Sequence, residues 1–297
     1  MSYTPLPVTV PVNPSGRPRP PSGTFASRPI EVNIVPESNS LMAAILPSRL
    51  DYHSLTYKLL LSVVVMYLIS CFLVPPFGYA QPTALSLLRI GSVSTEYMQC
   101  AAVGYIHELR RLIVPLFLSP SILPLLFSLY ILYLFVPPME QLHGVNNTAK
   151  IYFASGLVSN LCLASFGVYI SVGLAGACYG LIGSRIASAV IDWAGMGSEQ
   201  RFNTKRDLGR LIVMLIIFEL IATNMISFVG HLSGLAAGAA LTFILSNPST
   251  PTELKRTKWA RIGMVVGILA ATAALYYPVV ISFWDFRQYC LELERIY

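Results

Sequence analysis

The sequence predicts an all-α membrane protein with seven spans and an embedded first loop. Three observations carry this. Hydrophobic residues make up 55% of the 297 and charged residues only 11%, against about 25% charge in soluble domains. Mean hydropathy is +0.63. Seven runs approach the roughly 20 apolar residues that one crossing needs. The same numbers exclude a soluble enzyme and a disordered chain. The net charge of +6 is read through membrane topology, and no nucleic-acid partner is expected.

Three segments follow in order: 1–50, 51–246 and 247–297. Residues 1–50 form a Pro/Ser-rich extended arm, with the run PLPVTVPVNPSGRPRPPSG. Such a segment opposes helix and buries little. It has no apolar core near Met1, so it is not a secretory signal peptide. Arg17, Arg19 and Arg28 precede the first acid, Glu31. That balance suits a mitochondrial transit peptide, but the prolines oppose the amphipathic helix one needs.

The seven spans are placed at 59–77, 112–137, 151–170, 176–193, 208–226, 228–245 and 262–283. Spans 3 and 4, and spans 5 and 6, have almost no linker and read as tight antiparallel hairpins. The one long loop inside the core lies between spans 1 and 2. Its apolar run MQCAAVGYI, 98–106, is too short to cross and reads as interfacial. Fourteen of the 20 Lys and Arg residues fall on the side of the N-terminus and five on the other, with Arg185 inside span 4. The positive-inside rule then puts the N-terminus in the cytosol or the mitochondrial matrix, and the C-terminus on the far side. The sequon Asn146-Asn147-Thr148 lies on the inner side and is expected to be unmodified. The five cysteines show no CxxC spacing and three lie in apolar runs, so no disulfide framework is expected. No metal or cofactor is expected.

Site-like residues concentrate in spans 4 and 6. His231 is the histidine at membrane depth, where an ionisable group is a functional candidate by default. Gly230, Gly234 and Gly238 repeat every four residues beside it, a small-residue stripe that lets another helix approach closely. The natural neighbour is the start of span 4, Gly173 to Gly183, reading GLAGACYGLIG, with Gly173, Gly176 and Gly180 as packing positions.

These two motifs resemble those of the rhomboid family of intramembrane serine proteases. The family pattern around the nucleophile, Gly-x-Ser-Gly-Ala-x-Tyr-Gly-Leu-x-Gly, matches residues 173–183 except at the serine, which is Ala175. The family histidine motif, Ala-His-x-x-Gly-x-x-x-Gly, aligns with Gly230-His231 to Gly238. Tyr179 matches the tyrosine that packs on the catalytic histidine. The Trp-Arg motif of the first loop aligns with Arg110-Arg111, keeping the arginine and losing the tryptophan. Glu140, Gly144, Tyr152 and Gly156 follow the family's spacing after span 2. The resemblance implies that the seventh span is the addition of the six-plus-one subtype.

The departures imply loss of chemistry. In a rhomboid the serine attacks the scissile carbonyl and the histidine takes its proton. Ala175 has no hydroxyl to activate. The span-2 positions that help stabilise the oxyanion align with Ser119, Pro124 and Ser128. Pro124 has no donor, and Ser128 is short. One lost oxyanion donor typically costs about 2.7–4 kcal/mol of transition-state stabilisation. An engineered Ser-to-Ala knockout would explain Ala175 but not Pro124. Cys178 reads as an inert small hydrophobe rather than a substitute nucleophile. Neither Ser171 nor Ser233 has the strained-turn setting. Glu219 in span 5 reads as a neutral or hydrogen-bonded acid, with no second acid to make a relay.

The resulting expectation is a catalytically inactive rhomboid-like scaffold. It would be a structural subunit of a larger membrane complex, or a translocation or quality-control component. Its partners would be other membrane subunits or transmembrane helices of clients. The basic clusters Arg201, Lys205 and Arg206, and Lys255, Arg256 and Lys258, are positive-inside anchors and a candidate site for anionic lipid such as cardiolipin. An active or knocked-out protease is the alternative. A transporter ranks below both, lacking repeats or paired charges. The inner mitochondrial membrane is narrowly preferred, with the secretory pathway as the alternative.

Overall fold

The computed structural model describes residues 54–72, 81–193, 195–222, 225–246, 251–281 and 287–292. The predicted arm, 1–50, lies outside them. Among the described residues the chain is helical, with one isolated bridge pair, Val93 and Ser171. The seven long helices are α1 (Leu55–Phe72), α4 (Ile122–His143), α5 (Val145–Ser165), α6 (Leu174–Asp192), α7 (Ser198–Ala222), α8 (Met225–Leu245) and α9 (Pro251–Ile281). Two short helices, α2 (Ala84–Ile90) and α3 (Thr95–Cys100), and three 3-10 segments build the first loop.

Five of these helices contain a stretch long and apolar enough to cross a membrane: α1, α4, α6, α8 and α9. Helices α5 and α7 occupy the places of predicted spans 3 and 5. Polar Asn146, Asn147, Thr148 and Lys150 dilute the first, and the charged helical stretch from Glu199 to Arg210 dilutes the second.

Span 2 is corrected most. It begins at Ile122 rather than 112, because Pro115 and Pro120 break the chain into 3-10 turns before it. It then runs through Pro137 and Pro138 to His143. Each of these prolines withdraws an N–H from the ladder, yet the buried wall formed by Phe135, Val136 and Met139 keeps the helix in place. Gly144 ends it at φ +79°, a conformation that favours glycine. Helix α5 starts at once, six residues ahead of the predicted span. The sequon is therefore helical: Thr148 is fully buried, with its Oγ1 donating to the Gly144 carbonyl at 3.0 Å.

The core joins α1, α4, α5 and α6 through Val63, Tyr67, Leu132, Val136, Tyr152, Leu181 and Ile182. A second cluster seats α9 on the first loop: Leu275 packs with Val93, Met98, Leu163 and Val168. The Gln99 side-chain amide donates to the Leu275 carbonyl at 2.8 Å.

The cysteine expectation is overturned. Cys100, in the first loop, is disulfide-bonded to Cys290, beyond α9, across 190 positions of sequence. Spacing rules detect local frameworks and metal sites; they carry no information about two cysteines brought together by the fold. Cys71, Cys162 and Cys178 are free.

Candidate functional site

The site is assembled where the first loop meets α5, α6 and α8. Arg111 anchors the loop. It is 2% exposed, its guanidinium pairs with Glu108, and its Nη1 donates to the carbonyls of Leu88 and Ser92 at 2.9 and 3.0 Å. It also lies 4.1 Å over the Tyr97 ring. Burial pushes its pKa below the ordinary arginine value, and Glu108 opposes that shift. Arg111 is thus a structural rivet rather than a group offered to a ligand. The next residues are tied to the helices behind them. Asn160 donates to the Leu112 carbonyl at 2.7 Å, Tyr152 to that of Leu116 at 2.8 Å, and the Gly173 N–H to that of Pro115 at 3.0 Å.

The glycine positions named from sequence lie in helix contacts. A Cβ on Gly173 would overlap Asn160, one on Gly176 Ser159, and one on Gly180 Ser155, all from α5. A Cβ on Gly234 or Gly238 would overlap the carbonyls of Gly176 and Gly180 respectively, and one on Gly230 would press on Leu163. Helices α6 and α8 therefore touch backbone to backbone, as small-residue stripes allow. Ser159 adds a hydrogen bond to the Gly230 carbonyl at 2.8 Å.

This contact brings Tyr179 and His231 together. Their rings stack with centroids 4.5 Å apart and planes 10° from parallel. Glu219, from α7, closes the group. Its carboxylate oxygens lie 2.9 and 3.1 Å from His231 Nδ1, and Oε2 accepts from the Tyr179 hydroxyl at 2.8 Å. Sequence reasoning left Glu219 without this pairing. A signal was available: an acid and a histidine, each placed at membrane depth in successive helices, satisfy one another's cost. A carboxylate on Nδ1 fixes the ring and leaves Nε2 as the proton-accepting nitrogen.

The other half of a hydrolytic site differs. Ala175 lies four residues before Tyr179, on the same face of α6 in its first turn. It presents a methyl group. Ser119 is buried and its hydroxyl donates to the Ser121 carbonyl at 3.1 Å. Pro124 occupies the first turn of α4 and has no N–H. Ser128 is buried, and its carbonyl faces the Cys178 thiol at 3.8 Å. Cys178 is 1% exposed, in keeping with a packed thiol.

At the opposite end, Glu140 Oε1 accepts the Thr56 N–H at 3.1 Å, capping α1. Lys205 and Arg201 lie over the Trp193 ring at 5.5 and 5.9 Å, and Arg206 and Asp207 are paired at 4.0 Å. Lys255, Arg256 and Lys258 are exposed. Among the described residues, no group of three or more His, Cys, Asp or Glu is placed to hold a metal ion.

Comparison with known proteins agrees with the motifs. The family model of the rhomboid domain matches residues 107–248. The chain is 27% identical over 179 residues to rhomboid-like protease 3 of Toxoplasma gondii, covering 60% of this chain and 64% of that protein. It is 27% identical over 201 residues to the rhomboid protease GluP of Bacillus subtilis, covering 64% of this chain and 37% of that one. It is 29% identical over 169 residues to RHOMBOID-like protein 6, mitochondrial, of Arabidopsis thaliana, covering 55% and 51%. The chain spans 64% and 58% of the length of the two Toxoplasma relatives, rhomboid-like proteases 3 and 1.

Proposed function

The chain is a multi-pass membrane protein of the rhomboid family, carrying its rhomboid domain at residues 107–248, and from that premise we propose that it is a catalytically inactive scaffold. One observation carries the reading: the site keeps its histidine, oriented by Glu219 and stacked on Tyr179, while Ala175 stands where a nucleophile is needed. A base with no hydroxyl to deprotonate performs no acyl transfer. Pro124 removes a second part of the machinery and argues against a single engineered change. Three of the named relatives, two from Toxoplasma and one from Bacillus, carry protease in their names; the departure at Ala175 is what sets this chain apart in our reading.

What persists is a rigid helical body with a first loop riveted by Arg111. We assign it the binding of other membrane subunits or transmembrane helices, as a structural subunit or a translocation or quality-control component. The N-terminus faces the matrix in the preferred setting, the inner mitochondrial membrane. The secretory pathway, with the N-terminus in the cytosol, is the alternative. A mitochondrial protein among the relatives supports the first. The disulfide joins two segments assigned to the outer side, which either setting accommodates as the more oxidising one.

The test is native size in a mild detergent extract. Co-migration with a large assembly is expected, and its members would name the compartment. Migration as a small, partner-free species would overturn the subunit reading.

A further inference from the structure

The first loop encloses a pocket of about 350 Å³ that is separate from the Tyr179–Glu219–His231 group. That volume is within the usual range of small-ligand sites, about 300–1,000 Å³. Its wall includes Arg89, Tyr105, His107, Glu108, Arg110 and Arg111, with the Cys100–Cys290 disulfide on one side.

Three arginines and one carboxylate share this wall. Glu108 is already committed: one oxygen pairs with Arg111 and the other lies 2.9 Å from His107 Nε2. Arg111 is committed as well, to Glu108 and two carbonyls. Arg110 is different. Its contact with Glu108 is long, at 3.9 Å, and its side chain is 48% exposed. It retains donor capacity at the pocket rim. Beside it on the same stretch, Ile106, Leu109 and Ile113 are 69, 41 and 53% exposed. Apolar side chains flanking an arginine are the pattern of a segment lying in the membrane interface, with its cation at the level of the phosphates.

We propose that this pocket binds a phosphate group presented by an anionic phospholipid headgroup, with Arg110 as its principal donor. Ile106, Leu109 and Ile113 then lie in the adjoining acyl layer. The disulfide holds one wall, by fixing α3 to the segment after α9. This site lies in the first loop and is distinct from the basic clusters at 201–206 and 255–258.

The test uses the full chain in detergent. Native mass spectrometry would count retained phosphatidylglycerol against phosphatidylcholine, with inorganic phosphate as the soluble competitor. The expected result is a preference for phosphatidylglycerol that Arg110→Gln weakens about tenfold, the scale of one charge-assisted hydrogen bond. Arg110→Lys should recover part of it, and Lys58→Gln, an exposed cation outside every basic cluster named above, should leave it unchanged; Lys255→Gln with Lys258→Gln reads the separate cluster. Unaltered melting without lipid would show that the variants fold. Equal retention by wild type and Arg110→Gln would overturn the proposal, as would a preference abolished only by the Lys255 and Lys258 changes. Occupancy by inorganic phosphate with no preference between the lipids would overturn the lipid source.

Discussion

Glu219 lies 2.9 Å from His231 Nδ1 and takes the Tyr179 hydroxyl on the same oxygen. One carboxylate thus joins α6, α7 and α8. The geometry predicts energetic coupling. Glu219→Gln should cost roughly 1–3 kcal/mol, the scale of a disturbed buried hydrogen bond. In a double-mutant cycle with His231→Asn, the two losses should fail to add by at least about 0.5 kcal/mol. Additive losses in detergent unfolding would show that the contact carries no energy.

The α6–α8 contact predicts opposite outcomes for chemically identical changes. Gly238→Ala places a methyl against the Gly180 carbonyl and should cost about 1–3 kcal/mol through overpacking. Gly263→Ala on α9 meets nothing within 4 Å and should gain up to about 1 kcal/mol of helix propensity. Thermal unfolding of the two variants in one detergent checks the sign of each.

The disulfide makes a counting prediction. Unfolded without reductant, the chain should take up three maleimides, at Cys71, Cys162 and Cys178; after reduction it should take up five. Loss of the bond in Cys290→Ser should destabilise the chain by roughly 2–5 kcal/mol. Cys100→Ser should add little to that, because the two changes remove one bond.

Arg111 gives a graded series. Arg111→Met leaves Glu108 buried without its strongest partner and should cost about 3–5 kcal/mol. Arg111→Met combined with Glu108→Gln should recover part of the loss. Failure of the second change to recover any would locate the cost in the Leu88 and Ser92 carbonyls instead.

Much of this architecture was legible because the signals are strong and local. Apolar runs located the seven long helices, and the four-residue glycine periodicity located the helices that touch. The pairing of Tyr179 with His231 came from the family resemblance, not from periodicity. The errors share a cause as well. The start of α4 was misplaced because Leu112 to Leu118 is apolar enough to read as a span, while Pro115 and Pro120 decide the backbone. The Cys100–Cys290 bond and the Glu219–His231 pair were missed because they join segments far apart in sequence or on different helices, and periodicity is blind to such partners. Glu219 was read as a neutral or hydrogen-bonded acid with no partner named, although the histidine it meets sits only twelve residues away.

The central claim is that an oriented histidine without a nucleophile does no chemistry. It is tested by reconstituting the full chain in liposomes with a single-span substrate and comparing its cleavage rate with that of His231→Ala. The account predicts no cleavage by either protein, and none by Ala175→Ser, because Pro124 offers the oxyanion no donor and the Ser128 side chain is too short to supply one. Cleavage by the wild-type chain that His231→Ala abolishes would contradict it.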